Sequence, residues 1–247
     1  MQDRWEEDTS PPGLVLPRRQ GGSLDHIALG VPDMPRALEE IAERTGATPF
    51  SNEPEPGQWY WSGALALGDD AFLEILGPNP AHQGFQPLKQ LVSGYDAPRL
   101  LFWYVATADF AAFRERAQTL GAPLERVERV DFIRNSVAID YERGILGPGF
   151  VSQRPCIIEW RKRDLHPDAD RRCNLQSLQL RHPEAAKMNT LFGSLGIEQV
   201  VEEGPSWIAL TLDTPKGPVV FENPGESLVG LSSVLRMARL FLRYLRA

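Results

Sequence analysis

Cysteine is scarce in this chain of 247 residues, with two in all, Cys156 and Cys173. Two thiols cannot build the framework of a small secreted domain, and their separation is not the spacing of a zinc site, so reduced thiols in a cytoplasmic protein are expected. Positive charge is also short. Lys and Arg number 26 against 33 Asp and Glu, a formal net charge of −7, and a nucleic-acid-binding protein would normally be net basic. No run of about eighteen apolar residues occurs, so no membrane span is expected. The opening MQDRWEEDTS is acidic and lacks the apolar stretch of a secretory signal. Residues 1–22, rich in Pro and Gly, read as a flexible N-terminal arm.

What the sequence does contain is one pattern three times. LDHIALGVPDMPRALEEIAERTGA (24–47), RLLFWYVATADFAAFRERAQTLGA (99–122) and LQSLQLRHPEAAKMNTLFGSLGI (175–197) each begin with a strand-like apolar run. Each then turns and continues at helical spacing to a glycine placed as a helix C-cap. Strand-like runs follow every helix, including YWSGALAL (60–67) and AFLEILG (71–77) around Gly68-Asp69-Asp70, a good hairpin turn. The fold class expected is therefore α+β, built of repeated βαβββ units in curled mixed sheets. The divisions are 23–165 for two units, 166–225 for a third, and 226–247 for a C-terminal helix.

The last strands of the three units align as AFLEIL, CIIEWR and VVFENP, which puts Glu74, Glu159 and Glu222 in one place. His26 lies in the first strand, where simple alternation sends Leu24, His26 and Ala28 to one face and Ile27 and Leu29 to the other. Titratable groups among apolar strand residues should be paired, shielded or functional. His26 with two carboxylates makes a three-ligand set for a divalent ion that could polarise a substrate's vicinal oxygens. Without a metal, His26 and Glu74 make an acid–base pair or a buried hydrogen bond.

LDHIALGVPDMPRAL, LGDDAFLEILGP, CIIEW with His166-Pro167 after it, and LQLRHPEAAKMNTLFGSLGI resemble the glyoxalase-like domain family of the vicinal oxygen chelate superfamily. The resemblance implies a cup of paired βαβββ units with a divalent metal (Zn, Ni, Mn, Fe or Mg) at its floor. Ligands in that superfamily come from first and last strands. Carried over, the pattern gives His26, Glu74 and Glu159 as ligands, with Glu74 and Glu159 also catalytic and Glu222 a lesser candidate. The first-strand positions of units two and three fall on Leu101 and on Ser177 (or Gln176). The function implied is a metal-dependent lyase, isomerase or hydrolase acting on a small oxygenated molecule. The alternative is a small-molecule binding or sequestering protein with an incomplete metal set.

Trp61 and Trp103, on predicted strands, are candidate substrate-lining rings, with core packing the commoner role of such side chains. Arg134, in DFIRNSVAI, is a candidate clamp for a substrate carboxylate or phosphate. His82, His166 and His182 read as loop and turn residues, and Cys156 as a small buried thiol. At the end of the chain Arg236, Arg239, Arg243 and Arg246 form one stripe of a helix whose remaining surface is largely apolar. That helix suits packing in a homodimer, or peripheral contact with a membrane or partner.

Overall fold

A computed structural model describes residues 22–51, 53–54, 57–68, 71–134, 137–147, 154–162 and 170–224. The N-terminal arm and the arginine-striped C-terminal segment lie outside the described residues. Three βαβββ stretches follow one another. The first is β1 (Leu24–Gly30), α1 (Met34–Thr45), β2 (Phe50–Ser51), β3 (Tyr60–Leu67) and β4 (Ala71–Pro78). After a short helix α2 (Pro87–Val92) come β5 (Arg99–Ala106), α3 (Phe110–Thr119), β6 (Leu124–Arg134), β7 (Val137–Leu146) and β8 (Cys156–Lys162). The third is β9 (Asn174–His182), α4 (Ala185–Leu195), β10 (Val201–Glu203), β11 (Trp207–Asp213) and β12 (Val219–Pro224).

Local chemistry sets the helix boundaries. Asp33 and Asp109 accept hydrogen bonds from Arg36 N and Ala112 N at the starts of α1 and α3, satisfying donors that the first turn leaves open. Gly46 and Gly196 end α1 and α4 in the left-handed conformation, with φ of 73° at each, where a side chain would be strained.

The first two stretches form a single eight-stranded sheet in the order β2-β3-β4-β1-β5-β8-β7-β6. In both, the last strand lies parallel to the first, β4 on β1 and β8 on β5, and the halves join where β1 and β5 run antiparallel. The third stretch is wired differently, in the order β10-β9-β11-β12. Its first strand pairs with its second and third, and β12 stands at the sheet's edge. The expected equivalence of Glu222 with the other glutamates therefore fails, because β12 does not neighbour β9 as β4 neighbours β1. Glu222 is exposed and accepts the indole N–H of Trp207 at 3.2 Å.

The two faces of the long sheet differ. Ile27, Leu29, Leu65, Leu73, Ile75, Trp103, Val105 and Ile157 share one core with residues of α1, α3 and α4 and with Leu178, Leu180, Leu210 and Phe221 of the small sheet. Asn223 clasps the two sheets, its amide donating to the carbonyl of Leu100 at 2.7 Å. The other face carries smaller clusters, one around Tyr104, Cys156 and Ile158 and one where Leu88 and Val92 of α2 cover Ala28 and Leu101. The titratable residues of β1 and β4 lie on that face.

Candidate functional site

Two β-bulges shape the floor of this second face. Leu24 pairs with Val105 but His26 pairs with Tyr104, so β1 carries one extra residue, Asp25. Three residues on, Ala28 pairs with Phe102 but Leu29 with Leu100, so β5 carries the extra residue Leu101. A bulge re-aims side chains that simple alternation would separate. Asp25 and His26, neighbours in sequence, here meet on one face, while Leu24 joins the core side with Ile27 and Leu29. That corrects the alternation expected for Leu24.

The Asp25 carboxylate is fully buried and lies 2.5 Å from Nδ1 of His26. It also accepts the indole N–H of Trp160, at 3.1 and 3.2 Å from its two oxygens. Accepting both contacts suits a carboxylate, and with the proton on Nδ1 a neutral imidazole presents its lone pair at Nε2. The imidazole is sandwiched between Phe72, centroids 4.5 Å apart, and Tyr104, 3.8 Å apart, both rings within 20° of parallel. Plane and rotation are both fixed. Nε2 faces Oε2 of Glu74 at 3.8 Å, too long for a direct hydrogen bond. Glu74 is the more open partner, its side chain 28% exposed against 5% for His26.

Unit two supplies the far wall. Arg143 on β7 donates from Nη1 to the Tyr104 hydroxyl at 2.9 Å and forms an ion pair with Glu128 of β6. Tyr141 and Trp160 meet edge to face at 4.9 Å. Burial pushes the Tyr141 hydroxyl up to about 12 and the Cys156 thiol up to about 12, against the favourable charge of Arg143. The negative charge of Glu74 raises both further, and Tyr60 acts on Tyr141. Groups from both halves thus share one electrostatic environment.

Not every residue expected at the site is there. Glu159 points to the helix-bearing face, where its carboxylate accepts the backbone N–H of Phe110 at 2.7 Å, at the start of α3. The reason is register. Glu74 lies opposite Ala28 of β1, five residues before the N-cap Asp33; Tyr104, five before Asp109, lies opposite Cys156. Cys156 is therefore the counterpart of Glu74, and Glu159, an odd number of residues further on, faces the other way. By the same count the counterpart of His26 is Phe102, and Leu101 answers to the bulged Asp25.

Trp61 and Trp103 also lie on the core face. Trp61 packs against the main core and its indole donates to Ser51 at 2.7 Å. Trp103 is fully buried against Phe192 of α4, centroids 6.0 Å apart. The side chain of Arg134 lies outside the described residues, as does His166. The residues that sequence reasoning did not assign to the site are Asp25, Phe72, Tyr104, Tyr141, Arg143 and Trp160. Asp25 carried a signal, an acid inside an apolar strand beside the histidine, which only the bulge makes usable.

A divalent ion held by ligands from both halves does not fit these residues. Phe102 has no donor atom, and Glu159 is on the wrong face. Among the described residues no three histidine, cysteine, aspartate or glutamate side chains gather to hold a metal.

Residues 24–196 match the model of the glyoxalase-like domain family. The chain belongs to that family. Its fold is similar to that of a hypothetical protein from Staphylococcus aureus, 10% identical over 81% of this chain and 84% of that one, with a TM-score of 0.54. It is also similar to a variant of 4-hydroxymandelate synthase from Streptomyces coelicolor, 14% identical over 85% of this chain and 65% of that one, with a TM-score of 0.51. Methylmalonyl-CoA epimerase from Mycobacterium tuberculosis is 18% identical over 60% of this chain and 92% of that one, with a TM-score of 0.38. No curated protein sequence matches the chain. No described helix is long and apolar enough to cross a membrane.

Proposed function

We propose that this protein is an enzyme of the isomerase or lyase type that moves a proton on a small oxygenated molecule, with His26 and Glu74 as its acid–base pair. The observation that carries this reading is the 3.8 Å gap between Nε2 of His26 and the Glu74 carboxylate, across an imidazole fixed by Asp25 and two stacked rings. Such a gap leaves one substrate C–H or O–H within reach of both groups. Nε2 takes the proton from a carbon beside a carbonyl. The electron pair moves onto the carbonyl oxygen as an enediolate, and the imidazolium delivers the proton to the neighbouring carbon while the hydroxyl proton passes to the oxygen that was the carbonyl. Asp25 holds the tautomer and stabilises the imidazolium formed in the step, as a buried carboxylate does for a catalytic histidine. Glu74, at the open side, exchanges the proton with water. Tyr60, Tyr141 and Trp160 line the walls for a planar or apolar body.

The test is deuterium uptake from heavy water at the carbon beside the carbonyl, followed by NMR for a panel of 2-hydroxy- and 2-oxo-compounds with chelator-treated protein. The wild type should exchange at least one compound, with His26→Gln and Glu74→Gln each slower by about a hundredfold, the lower end of what a positioned acid or base contributes. Binding without exchange would favour the sequestering alternative, to which the apolar half-site of Leu101 and Phe102 under α2 is suited. Exchange that needs an added metal would overturn the acid–base reading.

A further inference from the structure

Arg143 has no part in the proton transfer itself, yet its contacts place it beside the reacting groups. Along β7, Tyr141 and Ile145 face the cup, packing with Tyr104 and Ile158, and alternation puts Arg143 on the same face. Its Nη1 meets the hydroxyl of Tyr104 at 2.9 Å, and the ring of that tyrosine stacks on His26 at 3.8 Å. The guanidinium thus sits at the hydroxyl end of the tyrosine whose ring face covers the imidazole. Nε and Nη2 engage Glu128, while the Nη1 edge faces a neutral phenol. The Tyr141 ring lies 5.7 Å from the guanidinium carbon. The ion pair is at the rim, with the Arg143 and Glu128 side chains 35% and 41% exposed. A planar fork with one edge turned to a neutral partner is suited to a carboxylate.

We infer that Arg143 anchors a carboxylate of the substrate, so that the molecules processed are small hydroxy- or oxo-acids held with the carbon to be deprotonated over His26. The inference rests on the acid–base reading for where the substrate sits. It also assigns Glu128 a role, as the internal carboxylate that an incoming one competes with.

Calorimetric titration with malonate and with malonamide, which is uncharged and of similar shape, tests this on the full chain. The wild type should bind malonate about tenfold more tightly than malonamide, a difference expected of one charge-assisted contact. Arg143→Gln should abolish that preference, and Glu128→Gln, which removes the competing negative charge, should tighten malonate binding. Glu74→Gln should keep the preference even while it slows deuterium uptake, so failure of proton transfer and failure of the anion site are read separately. Equal binding of the two probes by the wild type, binding of neither, or a preference unchanged in both the Arg143 and Glu128 variants would overturn the inference.

Discussion

Asp25 and His26 are consecutive in a β-strand, yet their side chains meet at 2.5 Å on one face of the sheet. Only the bulge at Asp25 makes that contact possible, because alternation would separate them by the thickness of the strand. Replacing Asp25 with Asn keeps the shape but offers an amide where Nδ1–H needs an anion. The Asp25→Asn protein should fold and should exchange substrate protons about a hundredfold more slowly or worse, the order expected when the tautomer is lost. Single-turnover exchange rates, set beside thermal melting, check both halves of the statement.

Glu159 supports a helix rather than the cup. Its carboxylate accepts Phe110 N at the start of α3, where the helix dipole also favours negative charge. Glu159→Gln should cost about 1 kcal/mol, of the order of a lost N-terminal cap, and should leave ligand binding unchanged. Urea unfolding with a parallel malonate titration decides this.

Trp103 is core. It is fully buried between the long sheet and α4, so Trp103→Ala should destabilise by about 3–5 kcal/mol, as large-to-small aromatic changes do. Chemical denaturation measures it. A substrate-lining tryptophan would show weakened binding at nearly unchanged stability instead.

Burial holds the Cys156 thiol and the Tyr141 hydroxyl neutral up to about 12. In the unfolded chain these groups release their protons from about pH 8.5 and 10. The folded state then binds more protons than the unfolded state. The stability they contribute is complete below those values and is lost as pH rises toward 12, at about 1.4 kcal/mol per pH unit for each group once its unfolded form is ionised. Denaturation midpoints measured across that range should fall, and Cys156→Ala should remove the part of the slope that begins near 8.5.

Much of the fold was legible because its signals are local. Aspartates at the starts of α1 and α3, glycines after α1 and α4, and a hairpin glycine at Gly68 each mark a boundary by a backbone need that few residues meet. The candidate site was legible only in part. His26 and Glu74 stand out as titratable residues in apolar strands, and they do face each other. Pairing register is not local, and matching strands by their glutamates displaced unit two by three residues. An odd shift exchanges the two faces of a strand, so Glu159 turns away from the site and Cys156 is the counterpart of Glu74. Trp61 and Trp103 were misplaced for a related reason. Alternation shows that successive rings take opposite faces, but not which face is covered by a third unit. That unit's different strand order, which moves Glu222 to an edge, has no sequence signature in a pattern of helix and strand spacings alone.

In the proposed reaction Nε2 of His26 is a proton-transfer group and not a metal ligand. Nitrogen-15 NMR of histidine-labelled protein at neutral pH, before and after one equivalent of Zn²⁺, tests it most directly. The His26 ring should be protonated on Nδ1, with Nε2 at the frequency of a free lone pair in both spectra. A stoichiometric shift of Nε2 on adding zinc, abolished in Glu74→Gln, would contradict it.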